Sequence, residues 1–349
     1  MNNRGAIIRF GATVLSAVLF LTYTSFLGLS AAQGDTIATT DTAAVSLDTT
    51  VQNEQIENAE KTENTSKDSS EQKTPEPKVV AAASGGTVCG KVIEKFISPY
   101  TANTSYNNVY LKNGTDLDIN LKEFLDGKLG YTIDKNDQPQ VLIMHTHATE
   151  SFLLTDKNTY TDQDATRTTD NEYNMVALGK IVSDKLNAAG IKTLHDTTQH
   201  DYPSYNQSYS RAAKTISSYT QKHQSIKVVI DLHRDAVAAN DTDKVKLTTE
   251  INGKKAAQIM LVMGAQTGNV TNFPNWRENL KLATKIQQTV EVMYPSLARS
   301  IRFVPKNYNQ SLSNGAVLIE IGTDGNSIDE VKYSAELLGN ALVNLFNTL

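Results

Sequence analysis

Five short runs constrain this chain more than anything else in it: "VLIM" at Val141–Met144, "IKTL" at Ile191–Leu194, "VVI" at Val228–Ile230, "QIMLVM" at Gln258–Met263 and "AVLIEI" at Ala316–Ile321. Each is too short for an ordinary helix. Most are apolar throughout instead of alternating, the pattern of strands buried on both faces. Helical patterns fill the gaps. Met175, Leu178, Val182 and Leu186 have helical spacing, and Gly190 follows as a left-handed cap. Leu282, Ile286, Val290 and Met293 mark a second helix, which should stop before Pro295. Val331, Ala335, Leu338, Leu342 and Leu345 mark the last. Capping boxes are expected at Thr169/Glu172 and at Ser327/Glu330. Strands alternating with helices predict an α/β fold, a three-layer sandwich whose largely parallel or mixed central sheet is flanked by helices. The stretch before the first run, "SYNNVYLKNGTDLDIN", alternates and holds Asn113-Gly114, which predicts a small β-rich lead-in with its turn there.

The strand ends carry the chemistry. In an open α/β sheet, ligands sit in the crevice beyond the carboxyl ends of the strands. His145, His147 and Glu150 follow the first run, His233 and Arg234 follow the third, and Glu320 closes the last. His145 and His147, two apart on an extended segment, would face the same way. Glu320, within an apolar run, needs a partner or a strand-end position, because burying an unpaired charge is very costly. Imidazoles and carboxylates converging from three strand ends match a hydrolytic zinc site, with three N/O ligands and one position for water. A carboxylate outside that shell would serve as general base. Arg234 is read either as a clamp for a substrate carboxylate or as a partner of Asp235. Glu172 is read first as part of its capping box. His195 and His200 are as readily loop or rim histidines as site residues, and His223 falls at a helix end, where its charge suits the dipole.

The first quarter of the chain is different. Residues 6–32 hold an apolar stretch of roughly 23 residues behind Arg4 and Arg9, long enough to cross a bilayer. Charge before the span places the rest of the chain outside the cytoplasm. Residues 1–32 are therefore expected to be a single-pass signal anchor, with a cleaved signal peptide ending near "SAAQ" as the alternative. Residues 33–86 are dominated by Thr, Asp, Glu, Lys, Ser and Gln, too polar to offset the entropy of ordering, and read as a disordered tether. Residues 87–349 form the expected extracytoplasmic catalytic domain. A net charge of −5 without a basic block argues against a nucleic-acid partner. The single cysteine, Cys89, excludes an internal disulfide and a thiolate metal cluster, and it lies too far from the apolar segment for a lipoprotein anchor.

Four motifs in order, "PQVLIMHTHATESF", "HDTTQHDYPSYNQSYSRA", "VVIDLHRDA" and "AVLIEIG", behind an anchor and a polar tether, resemble the stage II sporulation protein P family of endospore-forming Firmicutes. The resemblance covers roughly Thr87 to the C-terminus, and the combination is specific where each motif alone is not. It implies a fold similar to that of zinc-dependent N-acetylmuramoyl-L-alanine amidases. It also implies removal of stem peptides from peptidoglycan, with endopeptidase cleavage of cross-links, during forespore engulfment. The partners implied are a lytic transglycosylase and a multispanning membrane protein at the sporulation septum. Laid on the amidase pattern, His147 and His233 fall on metal histidines and Glu320 on the proposed base. The third zinc ligand is Glu172 by the amidase pattern and Glu150 by the sporulation family's own motif. The amidase glycine-rich turn is absent. His145 and Arg234 are then the expected helpers at the oxyanion. An exported metal-dependent phosphatase or amidohydrolase, and a non-catalytic wall-binding scaffold, stand as the alternative functions.

Overall fold

A computed structural model describes residues 85–349. The expected anchor at 1–32, and the expected tether at 33–86 except its last two residues, lie outside the described residues. Among the described residues no helix is long and apolar enough to cross a membrane.

The chain folds as a mixed α/β structure on two sheets. Twelve strands are described: β1 Val88–Lys95, β2 Thr104–Tyr106, β3 Val109–Asn113, β4 Val141–Met144, β5 Thr159–Thr161, β6 Thr193–His195, β7 Val228–Asp235, β8 Lys244–Ile251, β9 Lys254–Ala257, β10 Ile259–Gly264, β11 Ile301–Val304 and β12 Ala316–Thr323. Five α-helices accompany them: α1 Leu121–Asp126, α2 Met175–Ala188, α3 Ser208–Lys222, α4 Trp276–Met293 and α5 Ile328–Phe346. The main sheet has the order β2-β3-β11-β10-β12-β7-β4-β6, and a smaller one the order β5-β1-β8-β9. β6, β4, β7 and β12 run parallel, as the apolar runs predict. β10 is antiparallel to β12, so the sheet is mixed. The reason is connectivity. Ala257, the last residue of β9, lies beside Gly322 near the carboxyl end of β12, so the chain enters β10 from that end and can only run back. Gly322 has φ +66°, and a Cβ there would meet Val331 at 2.8 Å and Ala257 at 3.0 Å; the crossing needs glycine.

Every second residue of these strands builds the core. Val141 and Ile143, Val228, Ile230 and Leu232, Leu261 and Met263, and Val317, Ile319 and Ile321 pack together with Met175, Leu178 and Val182 of α2, Ile286 of α4 and Leu338 of α5. On the opposite face Leu142, Met144, Val229 and Ala316 meet Ala212 and Ile216 of α3. Helices thus lie on both faces. The predicted helix stops hold: α2 is followed by Gly190 at φ +81°, α4 ends before Pro295, and α5 opens with a complete Ser327/Glu330 capping box.

Two local expectations are corrected. The lead-in is β-rich as expected, with β2 and β3 extending the edge of the main sheet and β1 joining the small one, but its turn is placed elsewhere. The β2–β3 turn uses Asn107 and Asn108, both at positive φ, and not Asn113-Gly114, because Asn113 side-chain bonds to Thr115 and Leu117 fold that pair into the next loop. The second correction is at α2, which starts at Met175, capped by Asn174 through a bond from Val176 N of 2.9 Å. Asn174 supplies the N-cap oxygen nearer the apolar face, so the Thr169/Glu172 box does not form.

Candidate active site

At the carboxyl ends of β4, β7 and β12 lies a cavity of about 80 Å³ lined by His147, Glu150, His233, Arg234 and Glu320, with Tyr205, Tyr209 and Tyr308 around it. A larger depression, about 640 Å³, runs along the outer face of α3 from Ala213 to Lys222 and gathers no comparable chemistry. Strand geometry places each group. On β7, Asp231 and His233 point to the cavity face while Leu232 enters the core. Glu320 is the lateral neighbour of His233.

The segment after β4 is a tight turn, and two buried carboxylates shape it. Asp231 accepts bonds from Thr146 N (2.8 Å) and Oγ1 (2.6 Å), and Asp201 accepts from Thr149 N (3.2 Å) and Oγ1 (2.6 Å). Because 145–149 turns instead of extending, the two-residue spacing no longer keeps His145 and His147 on one side. His147 enters the cavity. His145 is fully buried behind it, donating from Nδ1 to Leu232 O (3.1 Å) and accepting at Nε2 from His195 (2.9 Å). Gly179 of α2 makes room for this pair, since a Cβ there would fall 2.4–2.7 Å from their rings. His145 therefore does not reach the cavity as the expected oxyanion helper. Glu172 is exposed and does not line it. Of the two competing ligand glutamates, the structure brings Glu150 to the cavity.

His147 and His233 stand with ring centroids 5.2 Å apart, edge to face. Glu150 Oε2 accepts from Arg234 N at 3.2 Å and lies 3.9 Å from His233 Nδ1, and its Oε1 is 3.5 Å from Arg167. The His147 ring stacks on Tyr205 at 4.6 Å and 14°, and the Arg167 guanidinium sits 4.9 Å over the same tyrosine. Arg167 also pairs with Asp201 at 2.5 Å. Arg234 donates Nη1 to Asp235 O (3.1 Å) and Nη2 to Thr166 O (2.9 Å), keeps its Nε without a partner, and does not pair with the Asp235 carboxylate, which Arg299 takes at 2.8 Å.

Burial and charge set the protonation states. His147 is held well below the usual imidazole range by burial, then by His233 and Arg167, so it is neutral. Burial also opposes a charge on His233, but Asp231 and Glu150 outweigh it and push the ring up to about 9. His145 falls to about 3 and His195 to about 4, burial leading in both. Glu320 is pushed up to about 8 by burial and then by Asp235, against the pull of Arg299 and His233.

Fit to a divalent cation can be judged from unpaired atoms. His147 Nδ1, His233 Nε2 and Glu320 Oε2 are buried without a hydrogen-bond partner. His233 Nε2 is nonetheless ion-paired with Asp231 Oδ1 at 2.9 Å, and Glu320 Oε2 lies 3.6 Å from Arg299 Nη2, which leaves His147 Nδ1 as the most isolated of the three. Such orphans are costly unless something else satisfies them. Two imidazoles and a carboxylate on one small cavity are the donor set of zinc. Among the described residues no three His, Cys, Asp or Glu side chains stand close enough together to hold an ion as placed, so the residues fit in kind and must close up to bind.

Sequence reasoning missed the second layer. Asp231, two residues before His233 in an otherwise apolar run, carried the same signal as Glu320: a carboxylate that must have a partner. The "HDYPSYNQSYSRA" loop supplied Asp201 and Tyr205, and His200 donates to His145 O at 2.8 Å. Only the fold shows that this loop closes over the β4 turn.

Comparison with known proteins completes the description. The family described as Stage II sporulation protein P (SpoIIP) matches residues 25–343. Stage II sporulation protein P of Bacillus subtilis (strain 168) is 28% identical over 224 residues, which cover 61% of this chain and 51% of that protein. The match thus spans about half the length of this curated relative. Among solved structures, an N-acetylmuramoyl-L-alanine amidase from Clostridium difficile 630 is 19% identical with a TM-score of 0.33, covering 61% of this chain and 97% of its own. The CwlD amidase of Clostridioides difficile, solved in complex with the GerS lipoprotein, is 10% identical with a TM-score of 0.35, covering 60% and 97%.

Proposed function

This chain belongs to the stage II sporulation protein P family, and from that premise we propose that it is a zinc-dependent peptidoglycan hydrolase of sporulation. The reaction is hydrolysis of the amide between N-acetylmuramic acid and L-alanine, with endopeptidase cleavage of cross-linked stems. One observation carries the reading: His147, Glu150, His233 and Glu320 line a single cavity at the ends of three strands, with His147 Nδ1 and Glu320 Oε2 buried and lacking a hydrogen-bond partner.

His147, Glu150 and His233 would hold the zinc ion, which when bound supplies Lewis acidity and brings the pKa of water toward neutrality. Glu320 does the proton work. Its raised affinity for a proton suits a base that takes one from the attacking water and returns it to the leaving amine. Arg234 lines the cavity with its Nε buried and unpaired, a donor placed for the developing oxyanion. Tyr205 stacks on the His147 ring and Tyr209 meets it edge to face, which fixes the ring's orientation.

The setting follows from the same premise. The N-terminal apolar segment anchors the chain in the membrane with the catalytic part outside the cytoplasm, beside a lytic transglycosylase and a multispanning membrane protein of the engulfment machinery. Digestion of purified sacculi by the full-length chain tests the activity. Stem peptides with new N-terminal L-alanine are expected, lost with chelator and restored by zinc. Zinc-loaded, folded protein that releases no such peptide would remove the proposal, and release that chelator leaves intact would remove its zinc.

A further inference from the structure

Two of the candidate ligands are tied to one buried carboxylate. Asp231 stands two residues before His233 on β7, so strand alternation puts both side chains on the cavity face. Its oxygens meet donors on two sides. Thr146 N reaches Oδ1 at 2.8 Å and Thr146 Oγ1 reaches Oδ2 at 2.6 Å, which fixes the chain one residue before His147. On the other side Oδ1 lies 2.9 Å from His233 Nε2, a ring nitrogen that is itself buried. The second ring nitrogen, Nδ1, faces Glu150, 3.9 Å from its Oε2.

These distances decide where the ring hydrogen of His233 sits. An ionised carboxylate only accepts, so a lone pair on Nε2 would face a negative oxygen with no proton between them. The hydrogen therefore belongs on Nε2. In the neutral ring the lone pair is then left on Nδ1, on the side of Glu150. We infer that Asp231 is a positioning residue that makes Nδ1 the metal-binding atom of His233, and that it steadies His147 from the same anchor through Thr146. The inference rests on the zinc site proposed above. A carboxylate is a costly group to bury, and a neutral amide would hold the Thr146 turn as well. The charge is used at His233, where it keeps the hydrogen on the far nitrogen and makes Nδ1 a stronger donor to a cation.

The chain has six histidines, few enough to resolve by histidine-selective ¹⁵N labelling of the full-length protein with and without zinc. His233→Gln identifies the His233 signals by their loss. In the zinc-loaded wild type, His233 is expected to keep a hydrogen on Nε2 while zinc shifts its Nδ1. Asp231→Asn, which can keep both bonds to Thr146, should bind zinc about 10-fold more weakly in chelator competition, the lower end for loss of a group that orients a ligand. Thr146→Val gives up one turn bond and leaves the ring contact, so its zinc affinity should stay close to wild type. Melting scans establish that both variants are folded, and the wild-type spectrum alone decides if Asp231→Asn is not. Zinc on Nε2 of His233 overturns this inference alone. So does an Asp231→Asn chain that binds zinc no more weakly than Thr146→Val. Histidine signals that ignore zinc altogether remove the proposed zinc site and this inference together.

Discussion

The two faces of the main sheet are made from alternate residues of the same strands, yet they do different work. On β7, Val228, Ile230 and Leu232 enter the large core, while Asp231 and His233 reach the cavity face. On β12, Val317, Ile319 and Ile321 do the first and Glu320 the second. The pleat separates the two roles with a period of two residues. One face holds apolar side chains that α2, α4 and α5 bury. The other, beyond the part that α3 covers, gathers imidazoles and carboxylates, with His147 Nδ1 and Glu320 Oε2 lacking a hydrogen-bond partner. Stability is concentrated on one face and chemistry on the other, and substitutions one residue apart should reveal the division.

The sharpest contrast is expected at the histidines. His147→Ala and His233→Ala should each reduce stem-peptide release to background and abolish zinc retention, while the melting temperature of metal-free protein changes little. Zinc content by mass spectrometry beside a sacculus digest checks both halves. Zinc retained at full stoichiometry in either variant would take that residue out of the ligand set. Next comes Glu320→Gln, which should keep its zinc and lose roughly 10²- to 10⁴-fold in kcat, the range for a general base. Full activity on purified muropeptides would reassign the base.

On the packed face the signs reverse. Ile230 is fully buried in the core between Asp231 and its neighbours on β4 and β12. Ile230→Ala should cost about 2–5 kcal/mol in denaturant unfolding, by lost burial plus the cavity left behind. Below the unfolding midpoint its kcat should stay close to wild type. A large loss of kcat in folded protein would mean that the faces are coupled after all. A smaller effect is expected one layer out. Asp201 is fully buried and ties Thr149 to Arg167, which in turn touches Glu150 and covers the Tyr205 ring that supports His147. Asp201→Asn should weaken zinc binding about 10- to 100-fold, as loss of a group that orients ligands does. A chelator competition titration reads this without any substrate.

The same division explains what could be read from sequence. The packed face was legible because burial on both sides leaves continuous apolar runs, and these located β4, β7, β10 and β12. Strands with weaker patterns were not legible. β8, "KVKLTTEI", and β11, "IRFV", carry charged residues whose partners are remote in sequence: Lys246 is held by Glu94, Asp156 and Glu330. At the site, His147, Glu150, His233 and Glu320 were legible because each stands where an apolar run ends. The misplacement of His145 has a local cause. The spacing rule assumes extended backbone, and bonds to Asp231 and Asp201 turn the chain there. Those acceptors are 52–85 residues away, so no local pattern could announce them.

The smallest expected effect tests whether the chemical face lowers stability. Glu320 has its carboxyl pKa raised from an ordinary 4.5 to about 8, by burial and then by Asp235. A folded state with the raised pKa binds more protons than the unfolded chain between those two values, so stability falls as pH rises through that window. Glutamine at this position has no such titration. In metal-free protein, the melting temperature of Glu320→Gln relative to wild type should be lowest below about pH 4.5, rise up to about pH 8 and then level off. The gain should shrink when zinc is present, because a cation beside the carboxylate offsets the penalty of ionising it. Scanning calorimetry across that range decides. A difference that does not vary with pH would show that the carboxylate is already satisfied, and the most reactive group of the chemical face would then cost the fold nothing.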